Sequence, residues 1–159
     1  MITRKAIAVL AVLLTGALIV ASTALAAGSS SRSKKPARQS DYAKAVRAVK
    51  SGSYQAAVNL LEKVVARDNG NADAYNYLAF SHRKLGRFDP ALRFYRKALA
   101  INAKHKGANE YIGELYLELG DLAKAKEHLA RLDDICWLGC EEYDDLKAAV
   151  ERYEARKSG

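Results

Sequence analysis

The chain has 159 residues, half of them apolar and only two of them proline, which is enough for one domain with a substantial core. Its formal net charge is +8, but from Asp41 onward it carries 20 basic against 18 acidic side chains. The excess therefore belongs to the N-terminal segment, and we expect no nucleic-acid partner, because such proteins cluster Lys and Arg on one face of the folded domain.

Residues 1–27 are organised like a secretory signal peptide. A basic start with Arg4 and Lys5 leads into an apolar run, which closes with small residues ending at Ala26. We expect cleavage after Ala26 or Ala27 and a periplasmic location. The alternative is an uncleaved, membrane-tethered assembly factor, since the apolar segment covers 22 residues and a membrane-spanning helix needs about 20.

Residues 28–40 read as a flexible basic linker, because Gly, Ser, Pro and positive charge prevail there without apolar periodicity. A spacer is the simplest interpretation. The alternative is weak contact with a membrane surface, at about 1 kcal/mol for each basic residue near anionic lipid. The residues that would make it are Arg32, Lys34, Lys35 and Arg38.

From Asp41 onward the sequence repeats itself every 34 residues, the period of helix-turn-helix arrays. The spacing relates three turn glycines, Gly52, Gly86 and Gly120. It predicts three helix pairs over about 41–70, 72–105 and 106–139. Pro90 fits the first turn of a helix, and Ser53 and Asp121 are predicted N-terminal caps.

Apolar residues at helical spacing predict the buried face of each pair. The second pair buries its first helix through Tyr75, Leu78, Ala79 and His82, with Ala91 facing Ala79. The third pair has the corresponding set Ile112, Gly113, Tyr116, Leu119, Leu122, Ala125, Leu129 and Leu132. The first pair is weaker, with Lys44 where the later copies have Leu78 and Ile112, as expected at the end of an array.

A last helix is predicted over about 141–157. Its apolar residues share one side, acidic residues begin it and basic residues end it, an order that suits the helix dipole. A polar-backed helix that closes an array keeps it soluble. We interpret this segment as a C-terminal capping helix.

The repeated pattern of Tyr75, Leu78, Ala79, Leu85, Gly86, Ala91, Tyr95 and Ala98 resembles the tetratricopeptide repeat (TPR), over roughly Asp41 to Asp133. The resemblance implies an all-α, right-handed superhelical solenoid of about three TPR helix-turn-helix repeats plus the capping helix. The sequence departs from the family pattern at His82, Asn109 and Ala103.

The resemblance also implies a concave groove, lined by the first helix of each pair, that accepts a peptide or a partner helix. Carried over by register, the partner-binding residues are Tyr42, Val46, Asn76, Phe80, Arg83, Lys84, Glu110, Glu114, Leu117 and Glu118, with Lys50 and Asp73 at the margins. The carboxylate clamp of chaperone-binding members requires Lys and Asn where this chain has Tyr42 and Val46. That specificity is not expected here.

Cys136 and Cys140 are the chain's two cysteines. In an exported protein they are expected to form a disulfide, which would fix the entry of the last helix. A metal site completed by His128 and a thiol-redox pair are the alternatives, although the ligand number and the spacing disfavour both.

No catalytic triad, phosphate loop or metalloprotease motif is present in the sequence. We expect a non-enzymatic scaffold without a cofactor, which binds a protein or peptide partner in the bacterial envelope. The sequence does not determine its oligomeric state.

Overall fold

A computed structural model describes residues 35–158, with side chains from Asp41. This part of the chain forms helices and no strand. The helices are α1 (Lys35–Lys50), α2 (Tyr54–Arg67), α3 (Ala72–Lys84), α4 (Phe88–Ile101), α5 (Lys106–Glu118), α6 (Leu122–Ile135) and α7 (Glu141–Ser158). The predicted signal peptide and the first part of the predicted linker lie outside the described residues.

The first helix begins earlier than the sequence analysis places it. Residues 35–40 were assigned to the linker, but the structure includes them in α1. Pro36 is compatible with this because it lies in the first turn, where no amide hydrogen is needed for the helix ladder. The linker prediction is therefore wrong in its C-terminal part.

The three predicted helix pairs are α1–α2, α3–α4 and α5–α6, and each pair packs against the next. The turn glycines Gly52, Gly86 and Gly120 have φ of 73°, 71° and 81°, a region that costs other residues energy. After Gly86, the amide of Arg87 donates to the carbonyl of His82 at 2.9 Å. The same bond follows the other two glycines, so one turn geometry is repeated through the array.

Helix caps fix where several helices begin. The Asp121 side chain accepts a hydrogen bond from the amide of Lys124 at 3.1 Å, which confirms its prediction. Ser53 precedes α2 but makes no side-chain cap bond, so its predicted role is wrong. Asn71 caps α3, accepting from the amide of Ala74 at 2.9 Å.

Replacing Asn71 with alanine should lower the free energy of unfolding by about 1 kcal/mol, the usual cost of losing such a cap. Asn71→Ser keeps an oxygen acceptor for the cap without placing a negative charge beside Asp68, to which the Asn71 amide donates, and it is the matched control. Urea titration followed by circular dichroism measures both. An equal loss in the two variants would show that the cap bond is not the cause.

The core is formed by the buried faces that the sequence predicts. Leu78, Ala79 and Ala91 are fully buried, and the imidazole of His82 is buried against the ring of Phe94. Leu119 is the exception, since it is 45 % exposed at the C-terminal end of α5. There the chain is leaving the helix, so the apolar period no longer predicts burial.

The last helix continues the repeat. The 34-residue spacing relates Leu146 to Leu78 and Ile112, and all three are buried. α7 packs on α5 and α6, as α3 packs on α1 and α2. It thus takes the place of the first helix of a further pair while covering the end of the array.

Gly113 allows α7 to lie close to α5. A Cβ at this position would lie 2.6 Å from Cδ2 of Leu146, whose side chain is fully buried. Nonbonded contacts this short are essentially never made by Cβ atoms in folded proteins. The absence of a side chain at Gly113 is therefore what accommodates Leu146.

Within residues 35–158, every helix is too short or too polar to cross a membrane.

Candidate partner-binding groove

The groove is the face formed by the first helices of the pairs, α1, α3 and α5, together with α7. Half-buried aromatic rings lie along it: Tyr42 contacts Tyr77 with ring centroids 6.3 Å apart, and Phe80 contacts Tyr111 at 5.0 Å. We call these four residues the aromatic row. It offers a partner apolar surface that is already held in place, which suits a binding face.

The predicted groove residues divide among four places. Tyr42 and Phe80 belong to the aromatic row, and the Lys84 Nζ lies 5.1 Å from the centre of the Phe80 ring. Val46 is half-buried in α1. Lys50 is exposed at the end of α1. The others line two cavities, one at each end of the face: Asn76, Glu110 and Asp73 in the first, and Arg83, Glu114, Leu117 and Glu118 in the second.

The first cavity, which we call the acidic cavity, has a volume of about 300 Å³ and lies where α3, α5 and α7 begin. Half of the residues around it carry carboxyl groups. Its lining is Asp73, Asn76, Tyr77, His105, Gly107, Glu110, Tyr111, Glu141, Glu142 and Asp145. The aromatic row contributes two tyrosines to this wall, so the cavity and the row form one continuous surface.

Glu110 is the most buried carboxyl in the acidic cavity, with 7 % of its surface exposed. Burial, with the negative charges of Glu114, Asp145 and Glu142, raises its pKa to about 8, and Arg83 opposes this only partly. Glu110 is thus largely protonated at neutral pH. It can donate a hydrogen bond, or become a carboxylate when positive charge approaches.

The raised pKa of Glu110 predicts that stability falls as pH rises. The folded protein holds the Glu110 proton up to about pH 8, whereas the unfolded chain loses it near pH 4.5, so deprotonation favours unfolding in between. Between pH 6.5 and 8 the loss should be about 1 kcal/mol, discounting for partial hydration.

Urea titrations of the parent and of Glu110→Gln measure this effect, and the variant should show a flatter pH profile. The comparison is made above pH 6.5 because burial lowers the pKa of His128 to about 4. The imidazole of His128 becomes protonated near pH 6.5 in the unfolded chain but only near pH 4 in the folded protein. His128 therefore destabilises the fold only below about pH 6.5. Parallel profiles for the two proteins would contradict the assignment.

His105 links the acidic cavity to the start of α5. Its Nδ1 accepts the amide hydrogen of Ala108 at 3.1 Å, which caps the helix, and its Nε2 lies 3.0 Å from Oδ1 of Asp73. Since Nδ1 is the acceptor in the cap, the neutral ring carries its hydrogen on Nε2 and donates it to Asp73. The sequence analysis did not identify this role.

Arg83 is buried between α3 and α5 and pairs with two carboxylates. Its Nη1 lies 2.5 Å from Oε2 of Glu114, and its Nη2 lies 2.6 Å from Oε1 of Glu118. Burial by itself would lower the pKa of Arg83, but the hydrogen bonds and charges of the two glutamates outweigh it and raise the pKa. The three side chains are predicted partner-binding residues, yet they pair with one another between α3 and α5.

The second cavity has a volume of about 200 Å³ and lies at the C-terminal ends of α3, α5 and α7, where Arg83, Glu114 and Glu118 form part of its lining. Arg152 and Arg156 of α7 line it. The groove thus carries acidic groups at one end and two additional cations at the other.

The sequence analysis missed seven residues at the acidic cavity. The repeat spacing contains the signal for most of them: it relates Tyr77 to Tyr111 and Asp145, and Asp73 to Gly107 and Glu141. Extending the register into α7 would have placed its acidic start in the groove. The missed residues are Tyr77, His105, Gly107, Tyr111, Glu141, Glu142 and Asp145.

Cys136 and Cys140 lie between α6 and α7, with their sulfurs at disulfide distance, 2.14 Å apart. Within residues 35–158 no group of three His, Cys, Asp or Glu side chains could hold a metal ion. His128, the suggested third ligand, instead places Nδ1 3.0 Å from Oδ1 of Asn109 and stacks on Tyr116.

Reducing the Cys136–Cys140 bond should lower the free energy of unfolding by only about 2 kcal/mol, because a disulfide that closes a short loop restricts the unfolded chain little. Guanidinium titration with and without a phosphine reductant measures this, and a Cys136→Ser, Cys140→Ser variant should be insensitive to the reductant. An unchanged midpoint for the parent protein, with mass spectrometry showing full reduction, would contradict the prediction.

The chain matches models of the tetratricopeptide repeat at two places, residues 72–105 and residues 112–136. It is also similar to tetratricopeptide repeat protein 1 of Schizosaccharomyces pombe, with 26 % identity over 106 residues. That match covers 60 % of this chain and 10 % of the yeast protein, so the chain spans about a tenth of its relative's length.

Solved structures share the fold at low sequence identity. The type III secretion translocator chaperone SycD of Yersinia enterocolitica has a TM-score of 0.68 at 18 % identity, covering 76 % of this chain and 86 % of SycD. The Sgt2 TPR domain of Aspergillus fumigatus has a TM-score of 0.69 at 17 % identity, covering 77 % and 80 %. The described part of the chain is therefore an all-α solenoid that contains tetratricopeptide repeats.

Proposed function

We propose that the protein is an exported, non-enzymatic scaffold that holds a segment of another bacterial envelope protein in its groove. The observation that carries this proposal is the aromatic row, a preformed apolar surface that continues into the acidic cavity. A bound segment would cover half-buried rings without first having to order them, which lowers the cost of binding.

Structures of similar fold support a peptide ligand. SycD has been solved with a peptide of the translocator YopD, and PcrH with the chaperone-binding region of PopD. The first TPR of Spaghetti (RPAP3) has been solved with an HSP90 peptide. From these proteins we take only that a similar fold binds a peptide, and not the identity of the ligand.

The export part of the proposal rests on residues 1–27, whose order of basic, apolar and small residues is that of a signal peptide. N-terminal sequencing of the protein recovered from the periplasm should begin near Gly28. A chain that retains Met1 in the membrane fraction would instead favour the tethered assembly factor.

Site-specific photo-crosslinking in living cells tests the groove. A benzophenone side chain at Lys84, which is exposed beside Phe80, should give a specific product in the envelope. The matched control is the same side chain at Arg93, an exposed position of α4, where that product should be absent.

A second variant connects the product to the aromatic row. Tyr77→Ser in the Lys84 crosslinking protein removes a ring from the row, and it should reduce the product about tenfold. Circular dichroism checks that the variant stays helical. Equal products at Lys84 and Arg93, or no effect of Tyr77→Ser, would overturn the groove assignment.

A further inference from the structure

We propose that the acidic cavity binds one cationic side chain, an arginine or a lysine, of the segment that lies in the groove. This inference rests on the proposed function and specifies the chemistry of the partner: a basic residue positioned beside an apolar stretch that covers the aromatic row.

The charge of the cavity is one-sided. Five carboxyl groups line it, from α3, α5 and the first turns of α7, and its lining contains neither lysine nor arginine. Arg83, whose positive charge acts on Glu110, is already paired with Glu114 and Glu118. A bound cation would therefore meet carboxylates without displacing a basic residue of the protein.

Hydrogen bonding provides an independent indication. Asn76 lines the cavity and is 5 % exposed, and its Oδ1 is buried without a hydrogen-bond partner among the described residues. Leaving a buried acceptor unpaired is costly, so such groups are usually satisfied. A guanidinium or ammonium group supplies only donors, which suits the oxygen acceptors that the five carboxyl groups bring to the wall.

The cavity suits a side chain better than a metal ion. Its volume of about 300 Å³ exceeds what a bare cation needs, and no set of three ligands in residues 35–158 converges on one point. Tyr77 and Tyr111 form the wall toward the aromatic row. Their rings can pack along the aliphatic stem of a lysine or arginine while the charged end reaches the carboxylates.

Glu110 connects binding to a proton. It faces Glu114 on its own helix and Glu142 and Asp145 on α7, with Arg83 on α3 as the opposing charge. An arriving cation favours the carboxylate form, so Glu110 should release a proton when the site fills. Asp73 and His105 complete the polar wall and already bind each other.

Calorimetry on the purified exported protein tests the inference with two matched heptapeptides. Each is capped, has leucine and alanine flanks, and differs at the central residue, which is arginine in one and its neutral isostere citrulline in the other. The arginine peptide should bind at least about tenfold more tightly, as expected for a charge-assisted pair. A lysine version should behave like the arginine peptide.

Two double variants show whether the preference for arginine arises in the acidic cavity. Glu142→Gln with Asp145→Asn should erase the preference for arginine over citrulline. Glu127→Gln with Asp134→Asn, which removes the same charge from exposed positions of α6, should keep it. Titrations in phosphate and in Tris at pH 7 should show release of up to about one proton, and Glu110→Gln should abolish that release.

Equal binding of the arginine and citrulline peptides would overturn the inference, as would an equal loss in both paired variants. Failure here can be distinguished from failure of the proposed function. If crosslinking at Lys84 captures a segment that has no basic residue near the cavity, the groove assignment stands and the cation site is wrong.

Discussion

Gly113→Ala should lower the free energy of unfolding by about 1–3 kcal/mol, the usual effect of overpacking a core. In most helices the same change stabilises by up to about 1 kcal/mol, because alanine is the better helix former. The sign is reversed here because the new methyl group would lie 2.6 Å from Cδ2 of Leu146. Leu146 is fully buried and cannot move aside freely.

A double-mutant cycle gives this prediction its control. Leu146→Ala alone should cost about 2–5 kcal/mol, since it empties a buried site. In that background the clash is gone, and Gly113→Ala should be neutral or slightly stabilising. Urea titration by circular dichroism measures all four proteins. Losses that simply add would contradict close packing of α5 against α7 as the cause.

Arg83→Ala should lower the free energy of unfolding by about 2–4 kcal/mol, because it leaves two carboxylates without their partner. Glu114 and Glu118 keep 26 % and 40 % of their side-chain surface exposed, so water offsets part of the loss. For that reason we place the effect toward the lower end of the range for buried pairs.

The control for Arg83 is a second cycle with Glu114→Gln and Glu118→Gln, which remove the charges that Arg83 neutralises. In that background Arg83→Ala should cost much less, and the difference measures the ion pair itself. Lys126→Ala, which breaks the exposed pair with Glu154, should have no measurable effect. If Arg83→Ala is as mild as Lys126→Ala, the cross-helix bridge contributes nothing.

The repeating core could be predicted because its signals are local. Gly86 marks a turn that needs positive φ, and Leu78 and Ala79 lie at helical spacing, so both follow from short stretches of sequence. The start of α1 could not be predicted in this way. Residues 35–40 have a composition typical of linkers, yet they extend a helix whose stability comes from packing further along the chain.

The groove was harder to predict than the core. Arg83 bonds to glutamates 31 and 35 residues away, and which charges meet depends on the rotation of one helix pair against the next. Tyr77 and Tyr111 adjoin the predicted residues Asn76 and Glu110, so the prediction omitted two rings of the aromatic row. α7 was interpreted only as a cap, which removed its acidic start from the predicted site.

The loop between α6 and α7 determines whether tryptophan fluorescence can follow unfolding. Trp137 is the chain's single tryptophan, and it is 82 % exposed beside the Cys136–Cys140 bond. Because its indole is already in water, tryptophan fluorescence should change little when the core unfolds. The same indole is a built-in optical probe of this loop, and a blue shift on adding a partner would show that the partner reaches beyond the groove to cover it.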